Sequence, residues 1–413
     1  MSSTVTGITP SSEIWQMNKR VGLSMPEPIQ IAFFTGLGQG GAAKQVVETA
    51  HLLAARGHRV QIMTYNRHKS FYKVNAEIEI IDLQGQSRIL PEPIDKMFAV
   101  IRLSRAVRTS APAVVISYTT MLNVLLGLAG RCLLRQHSAL LIGSDRNSVM
   151  RYNNSQLWIW ICRFFYRGLD GIFSNSQSTW HNLHALLQIP PEKTHYLANL
   201  LDTEYFCPSP ERPVKTNKIW EILVPARITA QKNQKILIPV ALELRQKGID
   251  FRFVLAGLHT QPFTSELLAM IQDNHLQESF ALLGQQEDIR QLYWHSDLVF
   301  MPSLYEGLSN SLIEAMACES LVLCSDIPEF SEHIRDTQNG YLVDINQPAA
   351  IGDKIIAILH QERSTADQVR SQARQSVLPY GPQTYYQHFM SMLDQFSQAS
   401  LSAGHSQSTR KST

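Results

Sequence analysis

Short apolar runs alternate with amphipathic segments along most of the chain. Runs of four to six residues, such as 29–34, each predict a strand that is buried on both faces of a parallel sheet. The segments between them repeat apolar residues every three or four positions and predict helices. This alternation is typical of the α/β fold class with doubly wound parallel sheets. The predicted strands cover residues 29–34, 60–64, 78–83, 113–117, 139–143 and 171–174, and then 219–224, 251–256, 280–283, 298–301, 321–325 and 340–343.

A proline-dense segment separates two such series and predicts a linker between two domains. The chain ends are rich in Ser and Thr without a clear period, so we expect a disordered arm over 1–27 and a disordered tail over 398–413. The remaining predicted boundaries are 28–206 for the first domain, 207–213 for the linker, 214–379 for the second domain and 380–397 for a helix that returns to the first domain.

Composition agrees with two globular domains, because the 413 residues are 44% apolar and only 17% charged. The net charge of +2 argues against general nucleic-acid binding. Charge is uneven, however: residues 1–205 carry 20 Lys and Arg against 13 Asp and Glu (+7), and residues 206–413 carry 17 against 22 (−5). A basic first half indicates either contact with an anionic membrane leaflet or ordinary variation between domains.

Five cysteines without a C-x-x-C pair indicate a reducing compartment, with no disulfide framework and no structural zinc. The polar N-terminus lacks the apolar core of a signal peptide, and no stretch reaches 18 uncharged apolar residues. We therefore expect a cytoplasmic protein that does not span a membrane. The aromatic run 157–166 favours a core helix over a membrane-facing one.

A glycine-rich loop follows the first predicted strand. Gly36, Gly38 and Gly41 have the G-x-G-x-x-G spacing of dinucleotide-binding loops, so an NADP-dependent reductase is one alternative. That motif also needs a carboxylate near the end of the second strand to bind a ribose. The second strand instead ends in Thr64-Tyr65-Asn66-Arg67, where Arg67 would meet a 2′-phosphate.

Two glutamates eight positions apart form the most informative stretch of the second domain. Glu306 lies in a predicted strand-to-helix loop and Glu314 within the helix that follows, with Ser309 or Asn310 as N-cap. Eight helical residues span roughly 12 Å, the scale of a nucleotide-sugar between its sugar and its ribose. Free N–H groups at the helix N-terminus between them would bind a diphosphate. The other interpretation is a core helix with two surface glutamates.

Two further groups lie near predicted strand ends, where open α/β sheets bind ligands. Arg227 and Lys232 follow the first strand of the second domain. Asp145 and Arg146 follow the fifth strand of the first domain, where a turn or helix cap is an equal interpretation.

Together these segments resemble the retaining glycosyltransferases of the GT-B fold, family 4, over roughly residues 29–398. The specific parts are the E-x7-E stretch in PSLYEGLSNSLIEAMAC, the preceding DIRQLYWHSDLVFM, and PARITAQKNQ, which is similar to the family's R-x4-K segment. Weaker parts are GGAAKQVVETAHLLAARGHRV, GIFSNSQSTWHNL and YLANLLDTEYFCP. The resemblance implies two Rossmann-like domains that face a central cleft, the first on the acceptor side and the second binding a nucleotide-sugar.

The resemblance also implies roles for individual residues. Arg227 and Lys232 would stabilise the diphosphate leaving group as fixed cations, and Glu306 would contact the hydroxyls of the donor sugar. The implied donor-binding set comprises Gly40 and Gly41 of the first loop, Gly284 and Gln285 beside the base, and Gly307, Leu308, Ser309, Asn310 and the ribose-binding Glu314.

The expected reaction transfers a hexose or N-acetylhexosamine from an NDP-sugar, with UDP- or GDP-sugars preferred, to a glycan or lipid-linked acceptor in polysaccharide or glycolipid biosynthesis. The chain contains no D-x-D motif, and members of this fold generally need no bound metal, so we expect no metal and no cofactor. Many members carry a histidine after the strand that here ends at Gly143. Asp145 or Arg146 takes over that role here, or the role is absent. A third alternative is an inactive sugar-nucleotide-binding protein, against which the intact glutamate pair argues.

Overall fold

The computed structural model describes residues 28–38, 40–65, 71–83, 92–134, 137–146, 155–211 and 219–409. They form two α/β domains, each built on one parallel sheet, which confirms the predicted fold class. The sheet of the first domain consists of β1 Gln30–Phe34, β2 Arg59–Thr64, β3 Glu79–Asp82, β4 Val114–Tyr118, β5 Leu140–Asp145, β6 Gly171–Ser174 and β7 Thr194–Tyr196. The sheet of the second consists of β8 Trp220–Val224, β9 Phe251–Ala256, β10 Phe280–Gly284, β11 Leu298–Met301, β12 Val322–Ser325 and β13 Tyr341–Val343.

Both sheets are doubly wound. The strand orders are β3-β2-β1-β4-β5-β6-β7 and β10-β9-β8-β11-β12-β13, and the paired strands are parallel. Strand order therefore reverses beside β1 in the first domain and beside β8 in the second. Ligands bind outside the carboxyl ends of strands at such switch points. The first switch point is followed by the glycine-rich loop, and the second by Arg227 and Lys232.

Helices cover both faces of each sheet. Those of the first domain are α1 Gly41–Ala54, α2 Glu92–Ser110, α3 Thr120–Cys132, α4 Gln156–Tyr166 and α5 Gln177–Ala185. Those that follow are α6 Leu237–Gln246, α7 Phe263–Asp273, α8 Arg290–His295, α9 Asn310–Ala317, α10 Pro328–Ser331, α11 Pro348–Leu359, α12 Arg363–Val377 and α13 Pro382–Thr409. The central strands are apolar because both of their faces are covered: in β1, Phe33 packs toward α1 and α13, and Phe34 toward α2, α3 and α4.

Helix α13 packs on the first domain although it follows the second in sequence. Its residues Phe389, Met392 and Phe396 lie in the same apolar cluster as Phe33 of β1. Gly171 in β6 permits this contact, because a Cβ atom there would lie 2.4 Å from the ring of Phe396. The chain thus crosses between the domains twice, once through the linker and once before α13.

The predicted disordered tail over 398–413 was wrong in part, since α13 continues to Thr409. Ser and Thr are only modestly unfavourable in helices, so composition underestimated the length of α13. The predicted arm over 1–27 and residues 410–413 lie outside the described residues, as does the end of the linker from 212. None of the helices in the described ranges has the length and hydropathy that a bilayer-spanning segment requires.

Candidate active site

The structure brings Lys232 and Glu306 together at the carboxyl edge of the second sheet. Lys232 ends a 3-10 turn, Ala230–Lys232, after β8, and Glu306 lies in the loop between β11 and α9. Lys232 Nζ lies 2.5 Å from Glu306 Oε1, and the two side chains are 17% and 7% exposed. A carboxylate so far from water needs a counter-ion, which Lys232 provides. The backbone carbonyl of Tyr305 beside it accepts a hydrogen bond from Gln231 Nε2 at 2.9 Å.

Glu314 is bound by a residue from the other domain. Lys44 Nζ, on α1, lies 2.6 Å from Glu314 Oε1, and Tyr293 OH donates to Oε2 at 3.2 Å. Glu306 and Glu314 are both buried, so the interpretation of two surface glutamates was wrong. Both ends of the E-x7-E stretch therefore carry a carboxylate neutralised by a lysine, and one of these ion pairs joins the two domains.

Lys44 is the central residue of a small ionic cluster that sequence reasoning missed. Its Nζ lies 3.6 Å from Glu48 Oε1 and 4.8 Å from the centre of the Phe206 ring. Burial lowers the pKa of Lys44, but the carboxylates of Glu314 and Glu48 outweigh burial and raise it above the usual lysine value. Burial raises the pKa of Glu48 to about 7, against the lowering effect of Lys44. Lys44 thus stays charged, and its position in the first helical turn after the glycine-rich loop was the available clue.

The N-terminus of α9 lies between the two glutamates. Ser309 is the N-cap, as predicted, but its side chain accepts no hydrogen bond from the helix. Leu308 and Ser309 are buried, and Ser311 Oγ donates to the carbonyl of Pro225 at 3.0 Å. A helix N-terminus without a side-chain cap offers its backbone N–H groups and positive dipole end to an anion.

Close contacts between the domains surround this helix N-terminus. Asn199 Nδ2 donates to the carbonyl of Leu308 at 2.9 Å and to Asn310 Oδ1 at 2.6 Å. Asn310 Nδ2 in turn donates to the carbonyl of Gly41 at 3.4 Å. Gly307 is needed at its position, because a Cβ atom there would lie 2.2 Å from the carbonyl oxygen of Arg146. The structure is therefore a closed arrangement in which the first domain touches the start of α9.

Asp145 lies within a strand and not in the loop that the sequence suggested. It is the last residue of β5, paired with Ser174 of β6, rather than part of a loop after the strand. It has no exposed surface, and its carboxylate accepts from Thr120 Oγ1 at 2.9 Å and from Tyr166 OH at 3.4 Å. Its catalytic role stays a prediction that this geometry does not favour.

Arg146, the next residue, borders the second domain. Its guanidinium donates to Asn199 and lies 4.7 Å from the centre of the Tyr118 ring. Asn199 also bonds Leu308 and Asn310, so Arg146 connects the end of β5 to the start of α9 through one side chain. Asn199 was missed by sequence reasoning because Arg146, Leu308 and Asn310, the partners that give it this position, lie more than fifty positions away in the chain.

The remaining predicted site residues are Arg227, Gly284, Gln285 and Gly40. Arg227 is exposed, and its backbone carbonyl accepts from Gln234 Nε2 at 2.7 Å. Gly284 ends β10 with a φ of +67°, a conformation that favours glycine, and Gln285 beside it is exposed. Gly40 is the N-cap of α1. Their roles toward a donor stay predictions.

The glycine-rich loop does not have the packing of a dinucleotide fingerprint. In that motif the third glycine allows close packing of helix on strand. A Cβ atom at Gly41 would instead lie 3.2 Å from Asn310 Nδ2 of the second domain, and Gly36 and Gly38 have open space around their Cβ positions. Of these three glycines, only Gly41 therefore lies against the other domain. Arg67 lies outside the described residues.

Both domains match models of known protein families. Residues 39–205 match the model of the family described as Glycosyltransferase Family 4, and residues 209–376 match Glycosyl transferases group 1. The putative glycosyltransferase EpsD of Bacillus subtilis is 29% identical over 186 residues, which cover 42% of this chain and 48% of EpsD. A relative from Campylobacter jejuni, named as a GalNAc-alpha-(1->4)-GalNAc-alpha-(1->3)-diNAcBac-PP-undecaprenol alpha-1,4-N-acetyl-D-galactosaminyltransferase, is 24% identical over 79% of this chain and 87% of its own.

Solved structures share the fold over nearly the whole chain. HepE from Anabaena, in complex with UDP and glucose, has a TM-score of 0.73 at 18% identity and covers 89% of this chain and 99% of its own. Sucrose-phosphate synthase from Thermosynechococcus elongatus has a TM-score of 0.77 at 16% identity, covering 90% and 100%. The alignments with EpsD and with EpsF of Bacillus subtilis span only half or less of those relatives. With both family models matched in order and both domains of the fold present, this chain belongs to the family 4 glycosyltransferases of the GT-B fold.

Proposed function

We propose that this protein transfers a hexose or N-acetylhexosamine from an NDP-sugar to a glycan or lipid-linked acceptor, with retention of configuration and without a bound metal. The observation that carries the proposal is the pair of lysine-neutralised glutamates, Lys232–Glu306 and Lys44–Glu314, on either side of the N-terminus of α9. The two glutamates and the helix N-terminus between them form a row of polar groups. This row offers hydrogen-bond acceptors to a sugar and a ribose, and N–H donors to a diphosphate between them.

In the proposed reaction the donor lies along this row. An acceptor hydroxyl attacks the anomeric carbon from the face that the diphosphate leaves, the bond between that carbon and the diphosphate oxygen breaks, and a diphosphate oxygen takes the hydroxyl proton. Negative charge grows on the diphosphate during this step. Lys232, the exposed Arg227 and the N–H groups at the start of α9 would stabilise that charge. These groups are in place before the reaction begins, so they need not reorganise as the charge forms.

The carboxylates in the two ion pairs keep hydrogen-bonding capacity for a donor. Each carboxylate oxygen accepts two hydrogen bonds, so Glu306 and Glu314 can bind hydroxyl groups without releasing their lysines. Closure of the two domains over the donor would also exclude water, which favours transfer over hydrolysis. The contacts of Asn199 and Gly307 between the domains are the kind of contact such a closure makes.

The relatives support the choice of substrates. Two Campylobacter jejuni relatives are named for transfer of N-acetylgalactosamine to glycans on diphospho-undecaprenol or PP-undecaprenol, and one solved neighbour, HepE, holds UDP-glucose. We therefore place UDP-sugars first and GDP-sugars second as donors in polysaccharide or glycolipid biosynthesis. The enzyme would work in the cytoplasm, in peripheral contact with the anionic inner face of the membrane, where a lipid-linked acceptor is accessible.

A donor panel tests this proposal. We expect a UDP- or GDP-sugar to raise the melting temperature of the protein in excess chelator, because a ligand at a hundred times its Kd adds about 2.7 kcal/mol to the free energy of unfolding. NADPH, the cofactor of the alternative reductase, should leave the melting temperature unchanged. Stabilisation by NADPH alone would contradict the proposal, and donor turnover that appears only after a divalent ion is added would contradict its metal-free part. Donor binding without hydrolysis or transfer to any acceptor would favour the inactive binding protein.

A further inference from the structure

The outer helical layer of the first domain, formed by α2, α3 and α4, exposes many large apolar side chains. Thirteen such side chains are exposed in the described part of the chain, and six of them lie on these three helices. Contiguous apolar patches on a soluble protein mark interaction surfaces. We call this group the α2–α4 face, and it consists of Phe98, Ile101, Met121, Leu157, Trp160 and Phe164.

Helix α4 carries the two most exposed apolar side chains of this face. Its inner face buries Ile159, Cys162 and Tyr166 against the sheet. Its outer face carries Leu157 and Trp160, which are 67% and 58% exposed. The predicted core helix is thus confirmed for one face only, and the other face of α4 is largely exposed.

The packing of α3 and α4 makes this face continuous. Gly127 of α3 lies against the backbone of α4, because a Cβ atom there would lie 2.1 Å from the carbonyl oxygen of Phe165. Helix α3 also packs against α2 on its other side. On α4, the rings of Trp160 and Phe164 are stacked with centroids 5.4 Å apart. The exposed apolar groups are therefore held on one rigid layer rather than on separate loops.

Basic residues accompany the apolar groups. Helices α2, α3 and α4 carry six Lys and Arg against two Asp and Glu, a difference of +4, and α3 and α4 carry no acidic residue. Arg131 of α3 lies at the edge of the aromatic stack, with its guanidinium 4.2 Å from the centre of the Phe164 ring. Exposed Trp, Phe and Leu side chains with an arginine at their edge and a net positive charge on their helices fit the interface of an anionic lipid bilayer.

The α2–α4 face also begins close to the cleft. Helix α3 follows β4 directly, and α4 follows β5 on the same side of the sheet. Met121 and Leu157 lie in the first turns of these helices, at the carboxyl edge of the strands. Asp145 and Arg146 lie at that same edge, and Arg146 contacts the second domain. A membrane on this face would lie beside the acceptor side of the cleft.

We propose that the α2–α4 face docks this enzyme on an anionic lipid surface, with Leu157 and Trp160 inserted among the lipids and Arg131 at the headgroups. The inference rests on the proposed function, because such a surface serves an enzyme whose acceptor is anchored in a bilayer. Beyond that function, the inference identifies the surface of the protein that meets the membrane and the residues that enter the lipid.

Vesicle cosedimentation with the full chain tests the docking surface. We expect binding to vesicles of phosphatidylcholine and phosphatidylglycerol, weaker binding when salt is raised, and little binding to phosphatidylcholine alone. The double variant Leu157→Ser, Trp160→Ser should bind at least about tenfold more weakly, since it removes the two most exposed apolar groups of the face. The matched control Ile219→Ser, Leu268→Ser alters two exposed apolar groups of the second domain and should bind as the wild type does.

Other outcomes would overturn the docking proposal. These are absence of binding to the anionic vesicles, equal binding by the Leu157/Trp160 variant, or a wild-type dimer in solution that this variant converts to a monomer, which would make the face a protein interface. Stabilisation by the donor nucleotide-sugar, measured on the same samples without vesicles, separates failure of the docking surface from failure of the proposed function. The variant should retain that stabilisation, which also shows that it is folded.

Discussion

Replacing Glu306 by alanine is expected to abolish sugar transfer. The carboxylate of Glu306 is buried, lies 2.5 Å from Lys232 Nζ, and sits between the end of β11 and the N-terminus of α9. In the proposed mode of donor binding, its loss would remove an acceptor for the sugar hydroxyls and free Lys232 to move. We expect the rate of transfer to fall by at least about a hundredfold, the scale for removing one group from a preorganised polar site. The rate is measured as nucleotide release in the presence of acceptor.

Two controls keep this result interpretable. Glu306→Gln keeps the shape of the side chain, so the protein should melt within a few degrees of the wild type. It removes the negative charge that pairs with Lys232, so it should also lose activity. Glu266→Gln removes a carboxylate that is paired with Lys235 at an exposed site, 2.7 Å apart, and should transfer sugar normally. Transfer by Glu306→Ala at the wild-type rate would mean that Glu306 does not have the role proposed here.

Replacing Lys44 by methionine is expected to weaken donor binding and to destabilise the closed arrangement. Lys44 is the cation of Glu314, and without it a carboxylate that is 8% exposed must stay charged alone or take up a proton. A hydrogen bond to a charged group contributes about 1.5–3 kcal/mol, so we expect Kd for the donor nucleotide to rise roughly tenfold to a hundredfold. Calorimetric titration with UDP measures this change, and KM for the donor should rise more than kcat falls.

Lys44→Arg and Glu48→Gln are the matched variants. Arginine keeps the positive charge beside Glu314 and should recover most of the lost affinity. Glu48→Gln removes the more distant of the two carboxylates, 3.6 Å from Lys44 Nζ, and should change donor affinity little. If Lys44→Met bound UDP as tightly as the wild type, or more tightly, the ion pair between the domains would compete with the donor instead of holding Glu314 for it.

Sequence patterns were sufficient for most of the fold because a strand buried on both faces leaves a continuous apolar run. Strands such as β1 and β11 are of this kind and lie where they were predicted. Strand β7, Thr194–Tyr196, was not predicted because its three residues, THY, form no apolar run. It forms by pairing with β6 at the edge of the sheet, a contact that only the assembled domain provides.

On the first-domain side of the candidate site, the sequence predicted Gly40, Gly41 and Asp145 but not Lys44 or Asn199. Glu306, Glu314 and Lys232 each lie near the end of a strand or the start of a helix, so local sequence patterns indicated them. Lys44 and Asn199 act on Glu314 and Leu308 across more than a hundred positions, and a single polar residue gives no pattern to detect. Asp145 shows the opposite error, because its polar residue type suggested a loop where strand pairing buries it inside the domain.

A structure of the protein in complex with a UDP-sugar would test the central claim most directly. We predict that the diphosphate lies at the N-terminus of α9, within hydrogen-bond distance of its first N–H groups, with the ribose hydroxyls on Glu314 and the sugar hydroxyls on Glu306. Lys44 and Lys232 should still contact their glutamates. A nucleotide bound at Gly36 and Gly38, with both glutamates at a distance from it, would contradict this account.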